Sequence, residues 1–180
     1  RSGTDRCREA FERLGGGFDG VVNVQGDEPF IRPEQIEALC RCFDDPATEI
    51  ATLVKPFAET DGLAALENPN SPKVALGAGS RALYFSRSVI PYLRGVPKEE
   101  WLRRHTFYKH IGMYAFRAET LRRIASLPQS PLEVAESLEQ LRWLEHGCRI
   151  GAAITDAETV GIDTPEDLVR AEEFLKKRTG

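Results

Sequence analysis

The sequence predicts an α/β domain with a three-layer, Rossmann-like arrangement around a mixed, mainly parallel sheet. Three observations carry that prediction. Apolar runs of strand length (Gly20 to Val24, Glu49 to Lys55, Ile150 to Ile154) alternate with stretches whose apolar residues recur at helical spacing. The first run stops abruptly at Gln25-Gly26-Asp27-Glu28-Pro29, as a buried strand does when it delivers polar groups at its carboxyl end, where open α/β sheets bind ligands. Between residues 68 and 117 the texture changes to shorter extended pieces punctuated by Pro69, Pro72, Pro91 and Pro97, which suits an inserted antiparallel region.

Taken in order, residues 5 to 14 place Cys7, Ala10, Phe11 and Leu14 at helical spacing, with Thr4 or Asp5 as cap and Gly15-Gly16-Gly17 as terminator. After the strand at 20 to 24, Pro33 opens a helix with Ile36, Leu39, Cys40 and Phe43 on one face. The strand at 49 to 55 then completes a βαβ pattern, which predicts a parallel pair. Lys73 to Leu76, a turn at Gly77-Ala78-Gly79, Ala82 to Ser86 and His110 to Arg117 read as extended pieces. In the last of these, Ile111, Met113 and Ala115 alternate with Gly112, Tyr114 and Phe116. Tyr92-Leu93, Trp101-Leu102 and Phe107-Tyr108 suit either a homodimer contact or a local apolar cluster. Residues 119 to 126 and 131 to 147 predict two helices, the second with Val134, Leu138, Leu141 and Leu144 on its core side and Glu133, Glu136 and Gln140 opposite. A strand at 150 to 154 and a helix opened by Thr164-Pro165-Glu166-Asp167 close the chain.

The 180 residues fit one domain, and a 41% apolar composition suffices for its core. A net charge of -4 without a basic block argues for small-molecule partners and against nucleic acid or a membrane surface. No apolar run approaches the length of a membrane span. Four cysteines without C-x-x-C spacing read as reduced thiols of a cytoplasmic protein. Walker A and G-x-S-x-G motifs are absent from the sequence, which argues against covalent catalysis.

Two carboxylates, Asp27 and Asp163, each sit where an apolar run meets a capped helix. Such a pair would hold Mg2+, with phosphate oxygens and water completing the octahedron, although an Asp before Thr-Pro is also an ordinary turn residue. Ser2, Gly3 and Thr4 lead into the first helix and fit either a helix cap or the polar edge of a nucleotide. His110 and Tyr114 share one face of a strand and suit an oxygen-rich ligand or a structural hydrogen bond. Arg87, directly after Phe85-Ser86, offers a bidentate fork for a carboxylate, or lies on the surface.

Five motifs together resemble, in order, those of the 3-deoxy-manno-octulosonate (Kdo) cytidylyltransferases. They are Gln25-Gly26-Asp27-Glu28-Pro29, Tyr84-Phe85-Ser86-Arg87 with Ile90-Pro91, His110-Ile111-Gly112-Met113-Tyr114, Glu136-Ser137-Leu138-Glu139-Gln140-Leu141-Arg142 and Gly161-Ile162-Asp163-Thr164-Pro165-Glu166-Asp167-Leu168. The resemblance implies a homodimeric α/β nucleotidyltransferase, one domain over residues 1 to 180, dimerising largely through an insertion like residues 80 to 117. It implies transfer of CMP from CTP to Kdo, with release of pyrophosphate, for lipopolysaccharide assembly. Asp27 and Asp163 would be the magnesium ligands. Arg87, Gln25, His110, Tyr114 and the Glu136/Glu139/Gln140 group would line the sugar pocket, and Ser2, Gly3 and Thr4 would meet the cytidine part of CTP. Members of the family carry a strand and an Arg/Gly/Lys loop that grips the triphosphate before the segment matching Arg1, so this sequence reads as a fragment of a longer protein. Two alternatives stay open: a cytidylyltransferase for another acidic sugar (8-amino-Kdo or sialic acid), and an inactive sugar- or nucleotide-binding dimerising module.

Overall fold

The computed structural model describes residues 3–24 and 31–157. Helix α1 (Gly3–Arg13) ends where Gly15 and Gly16 take positive φ angles of 87° and 62°, with the Gly16 N–H returned to the Phe11 carbonyl at 3.0 Å. Phe11 is buried as its spacing predicts, whereas Leu14 lies beyond the last helical residue and is 74% exposed. Strand β1 (Gly20–Asn23) and helix α2 (Pro33–Arg41) follow, then strand β2 (Ile50–Pro56) and helix α3 (Gly62–Glu67). Strands β3 (Lys73–Leu76) and β4 (Ala82–Ser86) form an antiparallel hairpin, and helix α4 (Trp101–Arg104) precedes the long strand β5 (Tyr108–Arg117). Helices α5 (Ala118–Ile124), α6 (Pro131–Glu136) and α7 (Glu139–Glu145) lead to strand β6 (Ile150–Ile154).

The six strands among the described residues make one sheet, ordered β4-β3-β5-β2-β6, with β1 also paired to β5. Strand β5 is the hub. Strand β2 pairs along one side of it from Tyr108 to Phe116, while β3 and β1 share its other side, β3 at Tyr108-Lys109 and β1 at Tyr114 to Arg117. Strands β1 and β2 run in the same direction, as the βαβ pattern predicts, but they are not neighbours: β5 lies between them and runs against both. The physical reason is the insertion, which brings the chain back into the middle of the sheet from the far edge. Among the described pairings β2–β6 is parallel and the rest are antiparallel, so the sheet is mixed with its parallel character on one side. Because β1, β2 and β6 share a direction, the chain leaves all three by the same edge.

Helices cover both faces. On one, Phe11 of α1, Leu121 and Ile124 of α5 and Leu141 and Trp143 of α7 pack over Ile50, Val54 and Phe116. On the other, Leu39 of α2 packs over Ala51, Leu53, Ile111 and Met113. Each such large apolar side chain, fully buried, contributes roughly 1.5–3 kcal/mol. The fit is tight where β1 enters: a Cβ on Gly20 would stand 2.9 Å from the Phe116 carbonyl oxygen, so a side chain there would push β1 off β5.

Two further sequence expectations change. Trp101 and Phe107 do not form a partner surface; both are buried with Phe57 and Leu66 in a local cluster of the insertion, and Tyr92 alone of the aromatic residues in those elements is strongly exposed. The predicted continuous helix from 131 to 147 is broken at Ser137, which adopts the left-handed region (φ 53°, ψ 47°) and separates α6 from α7. The break reverses the expected faces of α6. Val134 is exposed and Glu133 is buried, held by the Ser130 cap and by Arg142, whose Nε lies 3.3 Å from its carboxylate. A buried ion pair and a reciprocal cap outweigh the burial of one valine.

Candidate active site

Strand β5 places His110 and Tyr114 on the face that packs against α7, with ring centroids 5.3 Å apart. The two are brought closer along the strand by a bulge: opposite β2, Thr52 pairs with Tyr114 and the next residue, Leu53, already pairs with Ile111. Phe85 of β4 stands edge-on to His110 at 5.1 Å, and Trp143 of α7 stands edge-on to Tyr114 at 4.9 Å. Protein surrounding the His110 ring removes the hydration that an imidazolium needs, and its pKa is pushed down to about 3. Burial raises the Tyr114 phenol well above its usual range, and the nearby Glu139 charge raises it further. Tyr114 is 7% exposed, yet its hydroxyl has no hydrogen-bond partner among the described residues. The side-chain nitrogen of buried Gln140, on α7, likewise has no partner among the described residues. Buried donors without partners are rare in folded proteins and mark places where a ligand or water completes the bonding.

The acidic residues of α6 and α7 have internal partners. The Glu136 carboxylate accepts the Ser86 hydroxyl at 2.6 Å and the Arg87 backbone N–H at 2.8 Å. Arg87 donates from Nε to the Glu136 carbonyl (2.6 Å), from Nη1 to the Pro69 carbonyl (2.9 Å) and from Nη2 to the Ser137 carbonyl (3.4 Å). Its fork thus ties the end of β4 to the αL break and to the loop before β3, leaving no side-chain ion pair with Glu136. Glu139 accepts the Thr4 hydroxyl at 2.9 Å through one oxygen and Arg142 at 2.5 Å through the other. This bond joins the first turn of α1, next to Gly3, to α7.

Gln25, Asp27, Ser2 and Asp163 lie outside the described residues. Among the described residues no group of three or more His, Cys, Asp or Glu side chains is arranged to hold a metal ion. One concavity of about 720 Å³, lined by Phe18, Asp19, Glu49 and the Arg117 to Arg123 segment, opens at the edge where β1 and β2 begin and contains none of the predicted site residues. Its arginines serve the joint between sheet and α5, Arg123 pairing with Glu49 and Arg117 holding the Thr48 and Phe43 carbonyls.

Two residues near the site escape sequence reasoning. Lys73 is fully buried, with its ammonium donating to the Asn68 carbonyl at 2.9 Å. Burial lowers its pKa, Glu136 opposes that shift and Arg87 adds to it. Thr52 is also fully buried, and its hydroxyl meets His110 Nε2 at 2.9 Å and the Met113 carbonyl at 2.9 Å. A lysine at the start of a short strand carries a weak signal of this kind, since charge inside an apolar run demands a partner. The threonine carries none, being an ordinary strand former.

A three-layer α/β sheet with a cluster of buried polar groups and a small-residue helix start beside it suits a nucleotidyltransferase. A family profile described as cytidylyltransferase matches residues 1–150. The 3-deoxy-manno-octulosonate cytidylyltransferase of Phocaeicola vulgatus is 65% identical over 180 residues, spanning 100% of this chain and 71% of the relative. That of Bacteroides thetaiotaomicron is 63% identical over 179 residues, spanning 99% of this chain and 72% of the relative. The solved structure of a CMP:2-keto-3-deoxy-manno-octonic acid synthetase complexed with CTP superposes with a TM-score of 0.86 at 38% identity, covering 99% of this chain and 69% of that one. The chain belongs to the 3-deoxy-manno-octulosonate cytidylyltransferase family.

Proposed function

We propose that the protein transfers the cytidylyl group of CTP to Kdo, forming CMP-Kdo and pyrophosphate for lipopolysaccharide biosynthesis in the cytoplasm. Beyond the family relationship, the observation that carries this reading is the pair of buried, unpaired donors on Tyr114 and Gln140, with His110 beside Tyr114. Such a wall, hydrogen-bonding but without net charge, suits the hydroxyls of a polyol sugar better than a phosphate.

In the reaction, the anomeric 2-hydroxyl oxygen of Kdo forms a bond to the α-phosphorus of CTP. The bond from that phosphorus to the bridging oxygen breaks, pyrophosphate departs in line, and the hydroxyl proton passes to solvent. The chain's own residues act by positioning, which supplies most of the catalysis of such transfers. Tyr114 and Gln140 orient the sugar hydroxyls, Arg87 receives the sugar carboxylate with the second N–H that Nη1 and Nη2 each keep beyond the carbonyls they hold, and Gly3 and Thr4 with Ser2 receive the cytidine. Asp27 and Asp163 would hold Mg2+, and the reading is supported by the shared exit edge of β1 and β6, the strands that precede them. Bound there, Mg2+ would lower the pKa of the nucleophile and offset charge on the phosphoryl oxygens. We also assign the insertion, with Tyr92 73% exposed on it, as the contact of a homodimer.

The reading is tested by pyrophosphate release from CTP and Mg2+ with Kdo, 8-amino-Kdo or sialic acid offered in turn. Kdo as the best substrate is expected; release only with another sugar reassigns the acceptor, and binding without release makes the chain a non-catalytic module.

A further inference from the structure

The Thr52 hydroxyl sits inside the β-bulge with three neighbours: His110 Nε2 at 2.9 Å, the Met113 carbonyl at 2.9 Å and the Ile111 carbonyl at 3.4 Å. A hydroxyl has one proton to give. Both carbonyls can only accept, so the proton goes to the nearer of them, Met113, and the imidazole must be the donor to the threonine oxygen. The alternative, in which Thr52 donates to the ring, would withdraw that proton from the Met113 carbonyl in a fully buried setting, at the cost of an unmet acceptor. With Nε2 carrying the ring proton, Nδ1 keeps its lone pair and can only accept.

We propose that Thr52 is a positioning residue that locks His110 as its Nε2–H tautomer, so that Nδ1 accepts a hydrogen bond from a hydroxyl of the sugar. The bulge is what makes the lock: without the two extra residues of β5, Thr52 would face a regular ladder pair and not a side chain and a carbonyl at once. The ring therefore offers the ligand an acceptor, while Tyr114 and Gln140 on the same wall offer donors. Such a mixed set reads hydroxyl groups and distinguishes them from a phosphate or a second carboxylate, which only accept. The part that concerns the sugar rests on the Kdo reading above; the tautomer itself does not.

The test has two independent readouts. In nitrogen-15 spectra of the full chain at neutral pH, with His110 assigned among the three histidines by comparison with His110→Gln, wild type and Thr52→Ser should show His110 protonated at Nε2. Thr52→Val, which keeps the shape and removes the hydroxyl, should mix the tautomers or favour Nδ1–H. In steady-state turnover, Thr52→Val should raise the KM for Kdo about tenfold, the loss of roughly one oriented hydrogen bond, with kcat within about twofold and Thr52→Ser restoring the wild-type value. Wild-type His110 protonated at Nδ1 overturns the proposal, and that spectrum decides even if Thr52→Val does not fold. An unchanged tautomer and KM in folded Thr52→Val also overturn it. The expected tautomer pattern without turnover of Kdo supports the lock while removing the functional reading and the role assigned to Nδ1.

Discussion

Replacing Glu136 by alanine separates an anchoring role from a ligand role for the first acid of the α6–α7 motif. Its carboxylate receives two charge-assisted hydrogen bonds, from the Ser86 hydroxyl at 2.6 Å and the Arg87 N–H at 2.8 Å. Hydrogen bonds to a charged group contribute roughly 1.5–3 kcal/mol each, and Glu136 is only half-buried, so part of that is returned by solvent. Ser86, 3% exposed, would be left with a donor and no acceptor, and the buried Lys73 ammonium would lose the opposing charge that raises its pKa. A loss of about 2–4 kcal/mol follows, a large share of the roughly 5–15 kcal/mol typical of a whole domain. With a urea slope of about 2 kcal/mol per molar, the midpoint of unfolding should fall by about 1–2 M. Glu136→Gln should cost about half as much, because its amide keeps one acceptor but turns its NH2 towards a donor. A Glu136→Ala midpoint within about 0.25 M of wild type, combined with lost sugar binding, would refute the anchoring argument and make this carboxylate a sugar ligand.

Arg87→Ala, which removes the fork from three carbonyls, should lower stability by about 1–3 kcal/mol and raise the KM for Kdo at least tenfold, with the KM for CTP within about twofold; an equal rise in both would point to a folding defect alone. Because the His110 pKa is depressed, the native state resists protonation between the ordinary value of 6.5 and about 3 while the unfolded chain takes up the proton. Stability should therefore be full above 6.5 and fall as pH drops through that window, and a proton-resonance titration of His110 with a midpoint near 6.5 would contradict this. Thr4→Val, which deletes the hydroxyl bonded to Glu139, should weaken the mutual effect of CMP and Kdo on each other's affinity in calorimetry, whereas Thr4→Ser should retain it; an unchanged effect would show that this bond does not couple the two sides. Asp27→Asn and Asp163→Asn should lower turnover at limiting Mg2+ by at least a hundredfold with little change in the KM for Kdo, and near-normal turnover would refute the metal assignment.

Much of the scaffold is readable from local pattern. The runs at 20 to 24, 49 to 55 and 150 to 154 become β1, β2 and β6, and Pro33 opens α2, because hydrophobic periodicity and end signals act over a few residues. Neighbour relations are not local. That β5 would slide between β1 and β2 depends on pairings across more than fifty residues, which no window reports. The break at Ser137 was hidden because serine, unlike glycine, carries no preference for the left-handed region; tertiary bonds from Arg87 to the Glu136 and Ser137 carbonyls hold it there. In the site, the pairing of His110 with Tyr114 follows from strand alternation and is found at 5.3 Å. Thr52 was invisible because its role exists only where the bulge shifts the register.

The most direct test of the central claim is to incubate the protein with CTP, Kdo and Mg2+ and measure pyrophosphate and CMP-Kdo together. One pyrophosphate for each CMP-Kdo, with neither formed when Kdo is omitted, is the predicted result. Tight binding of CTP and Kdo with neither product formed, under conditions that support a related Kdo cytidylyltransferase, would contradict it.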